Sequence, residues 1–345
     1  MRCLSRERYM ILKPLTEEEQ HFLTKVMMKF FLPLNYEKIC QAMGWPVDQE
    51  ATRPFSLWKF VKYLEKSTQF QEPFKHLHHI QLLARRLADY GILIPSGIDA
   101  GGPGGNQCYY NMKELTNLER ENDFWLGSVL GGNYLRKKLE PYIVRIEGIN
   151  KKGLNGTGSG VLIAADCILT CRHNICDMDV QSCWVGERQL EIKDQLTHNK
   201  YDIGIIKIVP IEGHLTFPYL GTPYILDHTL ALGYPPLRGM REPLLLAQSG
   251  EINAVGTEMF SGCECITISS ITRPGNSGGP VFSLRGYIAG IVIESATSAD
   301  SVAAQDTEKK AGTDSPFYLA VSSNTLRTAI AEIDSSVQIR FEDYQ

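Results

Sequence analysis

The 345-residue chain lacks any block of five or six like charges. Its 35 Lys and Arg stand against 39 Asp and Glu, a formal net charge of −4. No basic face for tracking phosphates is predicted, and nucleic acid is not an expected partner. No apolar run reaches the roughly 18 residues that span a bilayer. The opening MRCLSRERYMILKPL is too interrupted by charge to form the apolar core of a secretory signal. No membrane association is expected, and a cytoplasmic location is. The nine cysteines (Cys3, Cys40, Cys108, Cys167, Cys171, Cys176, Cys183, Cys263 and Cys265) contain no C-x-x-C pair. Their odd number suits reduced thiols better than a disulfide framework. Four of them lie between 167 and 183, close to His173, where buried thiols, a redox-sensitive thiol and a zinc site are alternative readings. A G-x-G-x-x-G fingerprint is also missing. GTGSG (156–160) is too short, and it opens a strand where a nucleotide site would open a helix. No metal or cofactor is expected.

What is present describes a folded chain of two parts. Hydrophobic residues make up 43% and charged residues 21%, ordinary fractions for a protein with a packed core. The length predicts two domains, each able to bury its own core.

Residues 1–94 read as a small bundle of amphipathic helices. Thr16 and Glu19 form a capping box ahead of Phe22, Leu23, Val26, Met27 and Phe30, which share one helical face. Asn35 is placed to cap a second helix that stops near Gly44. Ser56 is placed to cap a third, with Leu57, Phe60, Val61 and Leu64 on one side. Pro73 suits the start of a fourth, carrying Phe74, Leu77, Ile80, Ala84 and Leu87 and ending at Gly91. His76, His78 and His79 on this helix read as a polar face, with a metal pair at 76 and 79 as the alternative. Residues 95–140 read as a linker, glycine-rich at 97–106, with one further helix from Met112 to about Asp123.

Residues 141–345 change character at Pro141. Short β-branched runs such as YIVRIEG, SGVLIAA, DIGIIKIV, CITISSI and GYIAGIVI are punctuated by turn residues, the signature of an all-β sandwich or barrel. SSNTLRTAIAEID near the end reads as a capped helix. The polar stretch 295–315 shows no strand pattern.

Three segments carry candidate chemistry. PGNSGGPVF (274–282) sets Ser277 among Gly275, Gly278 and Gly279. Such a turn lets backbone N–H groups converge on one spot, as an oxyanion hole requires. GTGSGVLIAADCILTCRHNI (156–175) places His173 just past an apolar strand. KYDIGIIKI (200–208) starts a buried strand with Asp202, an acid costly to bury without a partner such as histidine.

In this order, His then Asp then Ser, the segments resemble the chymotrypsin-fold serine peptidases, and within them the trypsin-like, HtrA-like branch, over about residues 142–334. GSGVLI, ILTCRH, DIGIIKI, LGYP, PGNSGGP, GYIAGIVI and LAVSSN resemble that branch's motifs in its order. The resemblance implies a double β-barrel with a C-terminal helix and serine endopeptidase activity on protein or peptide substrates. It implies Ser277 as nucleophile, His173 as base and Asp202 as the group that orients the histidine, with the N–H groups of Gly275 and Ser277 as oxyanion donors. It places Ile271, Thr272, Val292, Ile293 and Ser295 at the substrate, Ile293 pairing with its backbone as an added strand. The rival reading keeps the fold as a catalytically silent binding scaffold.

Departures from the secreted branch matter. Asn276 stands where secreted trypsins carry the acid that receives a freed N-terminus, and no IVGG-like start precedes YIVRIEG, so activation by cutting is not expected. Asn174 stands where those enzymes have a cysteine after the histidine. Ile271, six before the serine at the expected pocket base, gives no counter-charge for an Arg or Lys side chain. Glu294 and Asp300 are within sequence reach of the pocket's far side. The helical half, over about residues 14–90, resembles the effector-associated, death-like modules that precede trypsin-like domains in bacterial conflict systems. That implies an adaptor for a similar module on a partner, and a defence role. A stabilising or oligomerising helical cap is the alternative.

Overall fold

The computed structural model describes residues 15–99, 107–213, 216–237, 239, 243–259, 261–293 and 317–343. The chain divides between Thr116 and Asn117 into two units. In the first, α1 (Glu17–Phe30) opens on the expected capping box. Thr16 Oγ1 accepts from Glu19 N at 3.1 Å and the Glu19 carboxylate accepts from Thr16 N at 2.7 Å. α1 buries Leu23, Met27 and Phe30, while Phe22 sits at the rim and stacks on Phe70. α2 (Tyr36–Met43) ends at Gly44, whose φ of 70° takes the left-handed cap conformation. Asn35 precedes α2 but donates its amide back to Lys29 O instead of capping.

β1 (Phe55–Ser56) leads into α3 (Leu57–Ser67), which Ser56 caps through Lys59 N. Pro73 begins a short 3₁₀ turn, and α4 (Leu77–Asp89) follows it. The His76 and His79 ring centroids are 6.4 Å apart, and those of His78 and His79 5.8 Å.

The linker expected at 95–140 is divided differently. β2 (Leu93–Ile98) and β3 (Gln107–Asn111) pair antiparallel, and with β1 they make a three-stranded sheet in the order β1-β3-β2. The sheet belongs to the helices for physical reasons. The Tyr109 ring on β3 packs 5.6 Å from Phe31, and Asn111 donates from its side chain to Met28 O and from its backbone to Phe31 O. Most of the glycine-rich stretch, 100–106, lies outside the described residues.

The second unit begins with α5 (Asn117–Glu121), α6 (Gly127–Leu130) and α7 (Gly132–Leu139). These residues read as linker, yet Trp125, Leu126, Tyr134, Leu135 and Leu139 are buried. Pro141 does not break the chain; it sits in a 3₁₀ turn, Glu140–Tyr142, that runs directly into the first barrel strand.

Two sheets follow. The first holds β4 (Ile143–Asn150), β5 (Asn155–Ala164), β6 (Cys167–Thr170), β7 (Met178–Val185), β8 (Arg188–Leu190), β9 (Ile192–Thr197) and β10 (Gly204–Ile208). Their order is β8-β7-β4-β5-β6-β10-β9. One turn of helix, α8 (Arg172–Cys176), interrupts it after β6. The second sheet holds β11 (Leu220–Gly221), β12 (His228–Gly233), β13 (Leu246–Glu258), β14 (Glu264–Ile268), β15 (Pro280–Ser283), β16 (Ile288–Val292), β17 (Tyr318–Ser322) and β18 (Phe341–Glu342). Its order is β15-β12-β13-β14-β17-β16-β11-β18, and a further β15–β16 pairing closes strands β12 to β17 into a ring. Closure removes the free edges that an open sheet would expose. α9 (Ser323–Ile333), capped by Ser322, buries Leu326, Ala329 and Ile330. This is the double β-barrel architecture with a C-terminal helix, preceded by a helical unit.

Candidate active site

His173, Asp202 and Ser277 each lie in a connection between strands, His173 on a single turn of helix. Cys171 N-caps α8, directly after β6, and α8 carries His173. Asp202 lies in the turn between β9 and β10. Its Oδ1 accepts from the His173 backbone N–H at 2.9 Å, and its Oδ2 lies 2.8 Å from His173 Nδ1. Two bonds to one residue fix both the position and the rotation of the imidazole. With Nδ1–H donating to the carboxylate, Nε2 is left as the basic nitrogen. Burial works to raise the Asp202 pKa, but the hydrogen bonds and charge of His173 outweigh it and hold the carboxyl below its ordinary value. Arg172 ties the same turn down by donating to Asn199 O at 3.1 Å.

Cys171 adds a contact that sequence reasoning missed. Its thiol is fully buried and lies 3.2 Å from Val292 O as donor, and it also reaches toward the Asp202 carboxylate. Among the described residues, Cys171, His173 and Asp202 bring three potential metal-ligand atoms within 4.8 Å of one another. The sulfur donates to Val292 O, and the imidazole Nδ1 and the Asp202 carboxylate are already paired with each other. Of the neighbouring cysteines, burial pushes the Cys167 and Cys183 thiols up to about 12.

Ser277 occupies a turn that glycine alone permits. Gly275 has φ 95° and Gly278 φ 80°. A Cβ on Gly278 would lie 2.3 Å from Ser159 O and from Thr170 Oγ1. The N–H groups of Asn276, Gly278 and Gly279 are used by Arg273 O, Val292 O and Asn276 O. Among the described residues, no acceptor meets the N–H of Gly275 or Ser277. Those are the two groups expected to face a developing oxyanion.

The turn is tied to the first barrel. Ser159 N and Asn174 Nδ2 both donate to Ser277 O, at 3.0 and 2.8 Å, and Ser159 Oγ donates to Gly275 O at 2.6 Å. Ser159 carries its bonds from inside the GSG motif, and Asn174 its bond from directly after the ILTCRH motif. Their places in the sequence were visible, but their partners were not.

The expected substrate residues divide. Ile271 is half-exposed and Thr272 is buried at its side. Val292 is buried, and its backbone is consumed internally: its N–H donates to Gly279 O and its carbonyl receives Gly278 N and the Cys171 thiol. Its backbone thus supports the nucleophile turn. The Ile293 N–H donates to Leu319 O at 3.2 Å, so that donor is not available to a substrate strand. Ser295, Glu294, Asp300 and the rest of 295–315 lie outside the described residues.

Residues 158–291 match the model of the trypsin-like peptidase domain. Similar solved structures include the active form of the Rv3671c protease from M. tuberculosis, at 18% identity over 57% of this chain and 83% of that one, TM-score 0.44. The serine endoprotease from Yersinia pestis is similar at 19% identity, covering 64% of this chain and 68% of that one, TM-score 0.44. The HtrA-type protease AlgW with tripeptide is similar at 19% identity over 58% and 63%, TM-score 0.45. No curated protein matches the chain. The matched stretch lies wholly within the second unit.

Proposed function

We propose that the chain is a serine endopeptidase that works through His173, Asp202 and Ser277. The observation that carries this reading is the pair of bonds from His173 to Asp202 beside a glycine-held serine turn. In the reaction, Ser277 Oγ attacks the scissile carbonyl while His173 Nε2 takes its proton. The new C–O bond pushes charge onto the carbonyl oxygen, toward the N–H groups of Gly275 and Ser277. Collapse breaks the C–N bond, and His173 returns the proton to the leaving amine. Water then repeats the sequence on the acyl-enzyme and releases the acid. Asp202 holds the imidazole and stabilises its cation; the hydrogen bonds that keep its carboxyl ionised suit that role.

The half-exposed Ile271 supports a P1 preference without a basic requirement. A cleavage profile dominated by Arg or Lys would contradict it. The helical unit is read as an adaptor that gates the peptidase by association with a helical partner in a cytoplasmic defence pathway. Asn276 supports this over activation by cutting, because a freed N-terminus finds no acid there. The test is peptide hydrolysis by the full chain against its own concentration and under forced dimerisation through the N-terminus. Turnover per molecule should rise in both series. Flat rates, with activation by cleavage between the units instead, would make the helical unit an inhibitory propeptide.

A further inference from the structure

We infer that Asn174 is a positioning residue that sets the separation between His173 and Ser277. The inference rests on the proposed triad and goes beyond it. Asn174 follows His173 on the single turn of α8 and is buried, 6% exposed. Its Nδ2 carries two protons. One meets Ser277 O at 2.8 Å and the other meets Thr170 Oγ1 at 3.0 Å, with Ser159 O more distant at 3.4 Å. Thr170 Oγ1 accepts that bond because its own proton goes to Ser159 O at 2.7 Å. Ser159 N completes the circuit on Ser277 O at 3.0 Å. The carbonyl of the nucleophile is thus held by two donors, one from β5 and one from the residue bonded to His173.

The backbone has made room for this side chain. A Cβ on Gly158 would lie 2.6 Å from Asn174 Cγ and Oδ1 and 2.7 Å from Nδ2. A Cβ on Gly278 would lie 2.9 Å from the same amide nitrogen. Two glycines on different strands and turns therefore leave the seat open, and an alanine at either would close it. A buried amide with both protons on fixed acceptors has one orientation. Through the shared peptide, any shift of Asn174 shifts the imidazole relative to Ser277 Oγ. The strand expected to hold substrate is not part of the circuit, so the effect falls on the chemical step.

The test compares Asn174→Ala with the parent full chain by peptide hydrolysis and by the rate of fluorophosphonate labelling at Ser277, each normalised to folded protein by thermal unfolding. Loss of alignment should lower kcat and the labelling rate together by about 10- to 100-fold while KM moves little. A merely structural role would lower the unfolding temperature and leave kcat per folded molecule unchanged. If Asn174→Ala does not fold, Thr170→Val removes one acceptor without leaving the Ser277 link unmade, and it should give a smaller loss of the same kcat-selective kind. A folded variant with kcat within twofold of the parent overturns the inference and leaves the triad standing. A parent whose hydrolysis and labelling do not depend on Ser277 overturns both.

Discussion

The two units hold their interiors together in different ways. The first packs rings: Phe30 lies with its centroid 4.8 Å from Phe55, 5.0 Å from Phe31 and 5.2 Å from Phe60. Its buried polar residues are few, and the main ones serve as caps or strand ties, as Ser56 and Asn111 do. The second has an apolar core of Ile, Val and Leu, but where its sheets meet it buries Ser159, Thr170, Asn174, Asn276 and Ser277. Hydrogen bonds and glycines, not volume, define that region. The contrast separates two kinds of sensitivity. Substitution in the ring core should cost stability through lost packing. Substitution in the polar junction should cost activity through lost alignment.

The sharpest break is expected at the triad. Ser277→Ala and His173→Ala should each lower kcat by more than about 10⁴-fold, and Asp202→Asn by about 10⁴-fold through the wrong imidazole tautomer. The unfolding temperature of Ser277→Ala should stay close to the parent's. Residual hydrolysis within tenfold of the parent would remove Ser277 from its assigned place.

Gly278→Ala comes next and blurs the contrast on purpose. At φ 80° and with Ser159 O and Thr170 Oγ1 each 2.3 Å from the new Cβ, the turn must move. A loss of about 1–3 kcal/mol in unfolding free energy is expected together with loss of hydrolysis. A stable and active variant would show that the junction tolerates displacement.

Phe60→Ala tests the other side. Phe60 is fully buried between Phe30 and Phe31. Its truncation should cost about 3–5 kcal/mol in the first unit's unfolding. Hydrolysis of a small peptide by dilute protein should stay within about threefold, because the junction lies in a separately packed unit. A parallel collapse of activity would mean that the two units do not behave independently.

The smallest effect concerns pH. The Asp202 carboxyl is held below its ordinary value when folded, against about 3.9 when unfolded. Its contribution to stability is complete above the unfolded value and disappears as pH falls through the folded one. Urea midpoints followed from pH 6 to pH 3 should therefore drop more in the parent than in Asp202→Asn. Identical slopes would mean the carboxylate contributes nothing to folding.

The same contrast explains what could be read in advance. The barrel was legible because β-branched runs recur between turn residues, as in YIVRIEG and GYIAGIVI. The three candidate residues could be picked out because each stands in a distinctive local context, glycines for Ser277, an apolar strand for His173 and for Asp202. The first unit's sheet was not, because β1 is two residues long, β2 contains Pro95 and Gly97, and its pairing with β3 spans the glycine-rich stretch. α5 falls inside the helix expected from Met112 to about Asp123, while the helices from 127 to 139 were missed because Gly127, Gly131 and Gly132 break any helical period. Asn174 drew notice only as a departure, since its partners are mostly main-chain carbonyls, which leave no mark on a motif.

The most direct measurement is mass spectrometry of the intact full chain, and of its peptides, after reaction with a fluorophosphonate. One adduct is expected, on Ser277, formed rapidly by the parent and far more slowly by His173→Ala and Asp202→Asn. No adduct, or one at another serine formed equally fast in all three proteins, would contradict this.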